Sequence, residues 1–245
     1  MNPAMISAVS GGLAALSRLD AITTNLANVS TAGFKGLLHT QMSDHAGDAQ
    51  RNRVSVGTPI NRSQIIGDFS QGPLETTGSP LHVAIDGPGF FVVDTPQGER
   101  LTRRGFFAID EEGYLVTAAG DRVQGEGGEI EVGAAGQAGE LTIGKDGTIM
   151  RGDNRIGRLR IVDGGDGSQL HREPGGLYRP AGIDLLPAAE GTYALQQGAT
   201  EGSNVSAVEE LVAMIETMRG FEAYTNAMDR VDRINERSIR DVGRV

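Results

Sequence analysis

Two glycine-rich segments are the places where residue type and spacing come nearest to phosphate chemistry. They are GPGFF at 87–91 and GEGGEI at 125–130. A phosphate-cradling loop needs Lys followed by Ser or Thr and then the start of a helix, and neither segment has this continuation. Both are therefore predicted to be turns, in which glycine supplies a positive φ angle.

Metal binding and nucleophilic catalysis are not supported either. The segment DGGDGS at 163–168 resembles a fragment of a calcium loop, but glycine stands at ligand positions and the later bidentate Glu is missing. His39 and His45 lack the spacing of a metal site and are predicted to be solvated, and no G-x-S-x-G accompanies His82 or His171. We predict no catalytic residue, no metal ligand and no cofactor, and we do not expect an enzyme.

Composition excludes further classes of function. The net charge is −10, which disfavours binding to nucleic acid. The chain has no cysteine, so disulfides, zinc–thiolate sites and thiol nucleophiles are excluded. Aromatic residues make up 4% and Trp is missing, which disfavours a base-stacking or sugar-binding platform.

The two ends of the chain have the periodicity of long amphipathic helices, at 5–29 and 204–240. In the first, apolar residues recur every three or four positions, but Gly11 and Gly12 should cost about 1 kcal/mol each relative to Ala. This helix therefore needs a partner, either in its own domain or on another polypeptide. Gly33 stands where a left-handed C-cap would end it.

The second helix has the clearer boundary signals. Ser206 and Glu209 form a capping box, with Asn204 as a competing N-cap. Acidic residues lead and arginines crowd the end, in agreement with the helix dipole. A helix of this length would extend about 50 Å, which favours a helix–helix tube as its destination.

Between the helices, short apolar runs alternate with Gly-containing turns and predict an antiparallel β domain. The predicted fold class is α+β, mainly β. The predicted divisions are an assembly helix with its signature at 1–36, an extended linker at 37–80, a β-rich outer domain at 81–198 and a second assembly helix at 199–245. Residues 44–53 have almost no large apolar side chains and are expected to gain order only from a neighbour.

Three segments together identify a family resemblance. SRLDAITTNLANVSTAGFKG at 17–36 is similar to the N-terminal signature of bacterial flagellar rod and hook proteins, N-N-L-A-N-x-x-T-x-G-F-K/R, with Thr24 where the first Asn often stands. Residues 80–123 resemble the family's L-D-V-A-I-x-G-x-G-F-F segment and the hairpin after it. Residues 201–229 resemble its closing helix.

The resemblance implies a structural subunit of the basal-body rod, in which the terminal helices pair in a coiled-coil-like layer around a hollow axis. Its implied partners are copies of itself, the small rod proteins, the distal rod protein and the flagellar export apparatus, with no nucleic acid and no membrane insertion. The N-terminus lacks the features of a secretory signal, which by itself indicates the cytosol. The family instead implies type III export without a cleaved signal and assembly in the periplasm.

The residues that the resemblance and the apolar periodicity assign to the assembly interface lie in both terminal segments. They are Leu13, Leu16, Leu19, Ile22, Asn25, Leu26, Asn28, Gly33, Phe34, Asn204, Val208, Leu211, Ile215, Met218, Phe221, Tyr224, Met228 and Val231. Two other classes stay open: a secreted carbohydrate-binding β protein with helical flanks, and a tube component of a phage tail.

Overall fold

Helices stand at the two ends of the chain, and every element between them is a strand or a short turn. The computed structural model describes residues 3–42, 62–133, 141–165, 167–182, 185–189 and 191–242. In these residues α1 is Pro3–Ala27 and α2 is Ala207–Val242, close to the predicted bounds. The mainly β, α+β class predicted from the sequence is confirmed.

The strands in the described part of the chain are short. In order they are β1 (Leu37–Met42), β2 (Arg62–Gly67), β3 (Leu74–Thr76), β4 (Val83–Asp86), β5 (Phe90–Thr95), β6 (Gly98–Thr102), β7 (Phe107–Ile109), β8 (Leu115–Thr117), β9 (Arg122–Gly125), β10 (Gly128–Glu129), β11 (Leu141–Ile143), β12 (Thr148–Arg151), β13 (Asn154–Arg158), β14 (Ile161–Val162), β15 (Leu170–Glu173), β16 (Leu177–Pro180), β17 (Ala194–Gln197) and β18 (Ala199–Glu201). A turn of 3₁₀ helix, Pro174–Gly176, joins β15 to β16.

The chain divides into two units. The helical unit comprises Met1–Ala27, Leu37–Ile66 and Ser206–Val245, and the β-rich unit comprises Asn28–Gly36 and Gly67–Val205. The first three strands fall in the range predicted as an extended linker. Residues 44–53, expected to gain order only from a neighbour, lie outside the described residues.

In the helical unit α1 packs against α2, and Gly11 makes the close approach possible. A Cβ added to Gly11 would lie 2.5 Å from the ring of Tyr224, and one added to Gly12 would lie 3.9 Å from Phe221. The helix propensity lost at Gly11 is therefore offset by contact between bare backbone and an aromatic ring, whereas a Cβ at Gly12 would make only an ordinary van der Waals contact. The partner that the sequence required for α1 is present in the same subunit.

The β-rich unit is built around β5, and its strand pairings among the described residues are all antiparallel. The largest sheet has the order β15-β16-β6-β5-β9-β8-β7, with β10 beside β9 and β14 beside β5. Phe91 and Val93 on one face of β5 join the main core, while Phe90 and Val92 on the other face join a second buried cluster. Both faces of β5 are thus covered, which explains its continuous apolar run.

The glycine-rich segments form turns, as predicted. GEGGEI forms the hairpin between β9 and β10, with Gly128 at φ 110°. GPGFF leads into β5 with Gly89 at φ 123°. In DGGDGS the Asp163 carboxylate accepts a hydrogen bond from Gly165 N at 2.9 Å, and Asp166 lies outside the described residues.

One histidine differs from the expectation of a solvated side chain. His39 in β1 is half-buried, and its Nε2 is buried without a hydrogen-bond partner among the described residues. The periodicity of so short a polar segment could not show that the helical unit covers this ring. His45 lies outside the described residues.

Candidate assembly site

The signature at 28–36 runs through a turn and into the interior of the β-rich unit, where Lys35 forms a buried ion pair. Its Nζ lies 2.6 Å from Glu201 Oε1, and both side chains are fully buried. The same ammonium donates to Ser70 O at 2.6 Å. One pair of side chains therefore ties three segments together: the signature, the loop before β3, and β18.

Glu201 forms ion pairs with two cations, Lys35 and Arg103, and accepts hydrogen bonds from two backbone N–H groups. Its Oε2 lies 3.4 Å from Arg103 Nη1, and its Oε1 accepts from Gly72 N at 2.9 Å. Its main-chain carbonyl accepts from Gly33 N at 2.7 Å. Because this carboxylate is surrounded by donors, the desolvation cost of burying it is offset by charge-assisted hydrogen bonds.

We call the buried ion-pair cluster of Lys35, Glu201 and Arg103 the clamp, because its electrostatics fit a structural role. Burial lowers the pKa of the Lys35 ammonium below its usual value of 10.5, and the attraction of Glu201 opposes the shift. Burial likewise lowers the pKa of Arg103, again opposed by Glu201. Since the side chains of Lys35 and Glu201 have no exposed surface, a substrate cannot reach them in this conformation. The cluster holds the chain in place and has no access for chemistry.

Asn204, near the C-terminal end of the β-rich unit, connects the signature to the loop before β3 by a second set of hydrogen bonds. Its Oδ1 accepts from Gly36 N at 2.8 Å, and its Nδ2 donates to Asp68 O at 2.9 Å and to Ser70 Oγ at 3.0 Å. The alternative that Asn204 caps the helix is wrong, because these bonds use its side chain. In the helical unit α2 begins at Ala207, and Glu209 N donates to Ser206 Oγ at 3.5 Å.

Gly33 is left-handed, with φ 65°, but it is not a helix cap. The helix ends at Ala27, and Gly33 lies beyond it in a turn closed by the hydrogen bond from Phe34 N to Thr31 O at 3.2 Å. A Cβ on Gly33 would lie 2.9 Å from both Cγ and the main-chain N of Arg104. The signature thus requires glycine here for its backbone angle and for the approach of Arg104.

We expect Gly33→Ala to destabilise the β-rich unit by about 1–3 kcal/mol. The substitution places a residue with a side chain at a positive φ angle, and its Cβ also clashes with Arg104. Gly78→Ala is the matched control, since Gly78 also has a positive φ (74°) but a Cβ there meets nothing within 4 Å. Urea unfolding of both variants measures the difference. Equal losses of unfolding free energy would show that the Arg104 contact contributes nothing.

In the helical unit Asn25, at the second Asn position of the signature, joins α1 to β1 and α2. Its Oδ1 accepts from Leu37 N at 2.7 Å, and its Nδ2 donates to Leu37 O at 3.0 Å and to Glu210 Oε1 at 2.7 Å. The amide pairs with both main-chain groups of one residue, a role that the acceptor-only carboxylate of an ionised Asp could not fill.

The helices keep exposed apolar stripes even though they pack against each other. Leu13 is 62% exposed in α1, and Val208 and Ile215 are 71% and 54% exposed in α2. We call these surfaces the exposed stripes; their members are Val9, Leu13 and Leu16 of α1 and Val208, Leu211, Val212, Ile215 and Met218 of α2. Each stripe follows the helical period, so it is a continuous surface and not a scatter of single residues.

The predicted interface residues fall into three groups by burial. Seven are exposed: Leu13, Leu16, Val208, Leu211, Ile215, Met218 and Tyr224. Seven are half-buried: Leu19, Leu26, Asn28, Asn204, Phe221, Met228 and Val231. The remaining four are buried inside their own unit and act there in this conformation: Ile22, Asn25, Gly33 and Phe34.

Sequence reasoning missed the Lys35, Glu201 and Arg103 cluster as a site. Lys35 and Glu201 are separated by 166 positions, so no local pattern pairs them. The available signal was a lysine between Phe34 and Gly36, in a segment otherwise without charge. A charge in such a setting is usually buried with a partner.

Known families match three stretches of the chain. Residues 5–35 match "Flagella basal body rod protein", residues 84–151 match "Flagellar hook protein FlgE/F/G D1 domain", and residues 196–241 match "Flagellar basal body rod FlgEFG protein C-terminal". The first and last contain the helices, and the middle one covers β5 and its neighbours.

Whole proteins of the same kind are similar over nearly all of the chain. The flagellar basal-body rod protein FlgF of Caulobacter vibrioides is 32% identical, with 100% of both chains covered. FlgF of Salmonella typhimurium is 33% identical, with 95% of each covered. FlgG of Bacillus subtilis is 32% identical over 96% of this chain and 97% of its own.

In the described residues, neither helix carries an apolar stretch long enough to cross a bilayer.

Proposed function

Because the chain belongs to the flagellar basal-body rod and hook protein family and is most like FlgF, we propose that it polymerises through α1 and α2 into the hollow axial rod. In this proposal the protein is a structural subunit of the drive shaft and not an enzyme. The helices form an inner coiled-coil-like layer, and the β-rich unit is the outer part of each subunit.

The exposed stripes are the observation that carries this proposal. Large apolar side chains stay exposed on both helices of the isolated subunit, with Val208 at 71%. Apolar surfaces of this kind mark interaction sites when they are contiguous. Covering them stabilises an assembly by about 25 cal/mol for each Å² of apolar surface removed from water.

A contact between different surfaces of identical subunits generates a helical filament when its rotation does not close into a ring. The stripes lie on elongated helices, so neighbouring copies can overlap along the axis. The clamp of Lys35 and Glu201 supports this arrangement, because it holds the signature segment fixed within the β-rich unit. The β-rich unit can thereby keep its fold while the stripes find partners.

Between the rod proteins we propose the proximal one, FlgF. The match to FlgF of Caulobacter vibrioides spans both chains completely, whereas the matches to FlgG of Buchnera aphidicola from Schizaphis graminum and of Bacillus subtilis cover 88% and 96% of this chain. FlgG is the alternative, because its Bacillus subtilis representative is equally similar at 32% identity.

The proposed partners follow from this assignment. They are copies of the same chain, the small rod proteins and the distal rod protein, and the export apparatus that delivers the chain unfolded. The proposed location is the rod in the periplasm, reached without a cleaved signal.

Purified basal bodies test the function and the position together. A tagged copy that supports motility should be found in the rod, beside the export gate and the small rod proteins. Immunogold labelling or electron cryo-microscopy of these particles measures its place. A copy at the junction with the hook would assign the chain as FlgG, and its absence from basal bodies would refute the structural role.

A further inference from the structure

A cavity of about 650 Å³ opens on the β-rich unit beside the signature turn. Its wall includes Thr31 and Ala32 from that turn, Arg104 and Phe106 from the segment after β6, Ala119, and Leu177 of β16. Apart from the guanidinium of Arg104 and the carboxylate of Asp121, the lining is apolar or hydroxyl. The Asp121 carboxylate accepts from Thr117 Oγ1 at 3.3 Å within its own turn.

Arg104 lies at this cavity and has no counter-ion among the described residues. Its side chain lies between two glycines, since a Cβ on Gly33 or Gly176 would come within 2.9 Å or 2.6 Å of it. Its Nε is buried and has no hydrogen-bond partner, and its guanidinium pairs with no carboxylate of the described residues. Its main-chain N, by contrast, is satisfied by Thr102 Oγ1 at 3.1 Å.

A second arginine, Arg172, lies near enough to repel Arg104 electrostatically. The guanidinium of Arg172 lies 4.2 Å from the centre of the Phe34 ring, and its Nη1 is buried without a partner among the described residues. Burial lowers the pKa of Arg104, the interaction with Tyr178 opposes this shift, and repulsion from Arg172 adds to it. Two partly buried cations are stabilised when a carboxylate comes within reach, and among the described residues neither Arg104 nor Arg172 has a carboxylate as an ion-pair partner.

We propose that this cavity receives the first turns of α2 from a second copy of the chain, with Glu209 of that copy pairing with Arg104. This inference rests on the proposed function, because it specifies one contact of the polymer. At 100° per residue, Val208, Glu209, Val212 and Glu216 share one side of α2. Val208 is 71% exposed and Val212 51%, so two apolar groups accompany the acids and match the apolar wall.

Charge complementarity favours the first turns of α2, over other parts of the surface of a second copy, as the segment that fills the cavity. The chain carries a net charge of −10, yet Arg104 has no carboxylate partner in the described part of the chain, so an acidic segment of a like copy is both available and complementary. In α2 Glu209 is exposed, and its side chain is not used in the hydrogen bonds described for the helical unit.

Charge variants test the pair. We expect Arg104→Gln and Glu209→Gln each to raise the critical concentration for polymerisation about tenfold, because each removes one partner of a desolvated ion pair. The exchanged variant, Arg104→Glu with Glu209→Arg, should recover most of the loss. Asp229→Asn, about 30 Å further along α2, is the control and should polymerise as the original chain does. Sedimentation of polymer measures all four, and thermal unfolding by circular dichroism checks that Arg104→Gln folds.

Cross-linking locates the contact independently, because the chain has no cysteine of its own. Ala119→Cys mixed with Val208→Cys should give disulfide-linked pairs in the polymer. Ala119→Cys mixed with Asn226→Cys, about 27 Å away along the helix, should give at least tenfold fewer.

Two failures are distinguishable. If the original chain polymerises while both Gln variants behave like it and the 119–208 link does not form, the docking contact is refuted and the rod function stands. If the original chain enters no polymer in solution and no rod in cells, the proposed function fails and the contact fails with it.

Discussion

Glu201→Ala is expected to lower the unfolding free energy of the β-rich unit by about 3–5 kcal/mol, because it leaves two buried cations without their counter-charge. Lys35 would retain only Ser70 O, and the hydrogen bond from Gly72 N would be lost. Urea unfolding followed by near-ultraviolet circular dichroism measures the loss through Tyr178, which is buried in the same unit.

Two controls make this result specific to the buried charges. Lys35→Met should cost less, about 1–3 kcal/mol, because Glu201 then keeps Arg103 and Gly72 while an apolar chain of similar length fills the space. Glu111→Ala removes an exposed acid in a turn and should change the unfolding free energy by less than about 0.5 kcal/mol. If Glu201→Ala were no more costly than Glu111→Ala, the cluster would not hold the signature in place.

Ile215→Asp is expected to abolish polymerisation while the subunit stays folded. Ile215 is 54% exposed in the subunit, so a carboxylate is tolerated there until a neighbouring copy covers it. Burying that carboxylate in an apolar contact should then raise the critical concentration at least a hundredfold, which corresponds to about 2.7 kcal/mol at each contact. Sedimentation measures the polymer, and the motility of cells that carry only the variant gives the consequence.

Ile215→Leu keeps the size and apolar character of the side chain and should polymerise within about threefold of the original. Leu26→Asp is a weaker test, because Leu26 is half-buried and the change would also disturb its own unit. Normal polymerisation and motility of Ile215→Asp would mean that the exposed stripe of α2 is not an assembly surface.

The burial of the signature residues explains why a short motif can identify the family. Asn25 pairs with both main-chain groups of Leu37, Gly33 admits Arg104, and Lys35 reaches Glu201. Each of these tasks restricts the residue type by geometry or charge. In contrast, the exposed stripes require only apolar side chains at the helical period, which many residues satisfy.

The sequence by itself determined the two helices, the antiparallel body and most of its turns. These features depend on residues close together in the chain: apolar side chains every three or four positions in α2, and glycines such as Gly128 that take a positive φ between strands. It also determined the family, because three such segments occur in the family's order. It did not distinguish Ser206 from Asn204 as the start of α2, since either residue type can cap a helix.

Only the tertiary structure decided how distant residues meet. Tyr224 lies against Gly11, Lys35 pairs with Glu201, and Asn204 bonds to Gly36 and Asp68, although long stretches of chain separate these partners. It also left Arg104 without a carboxylate partner among the residues that the structure describes. Such contacts depend on how sheets and helices pack, and a local pattern carries no information about which buried donor will face which acceptor. The physical reason is that these partners are distant in the chain and meet only after its strands and helices have made their non-local pairings.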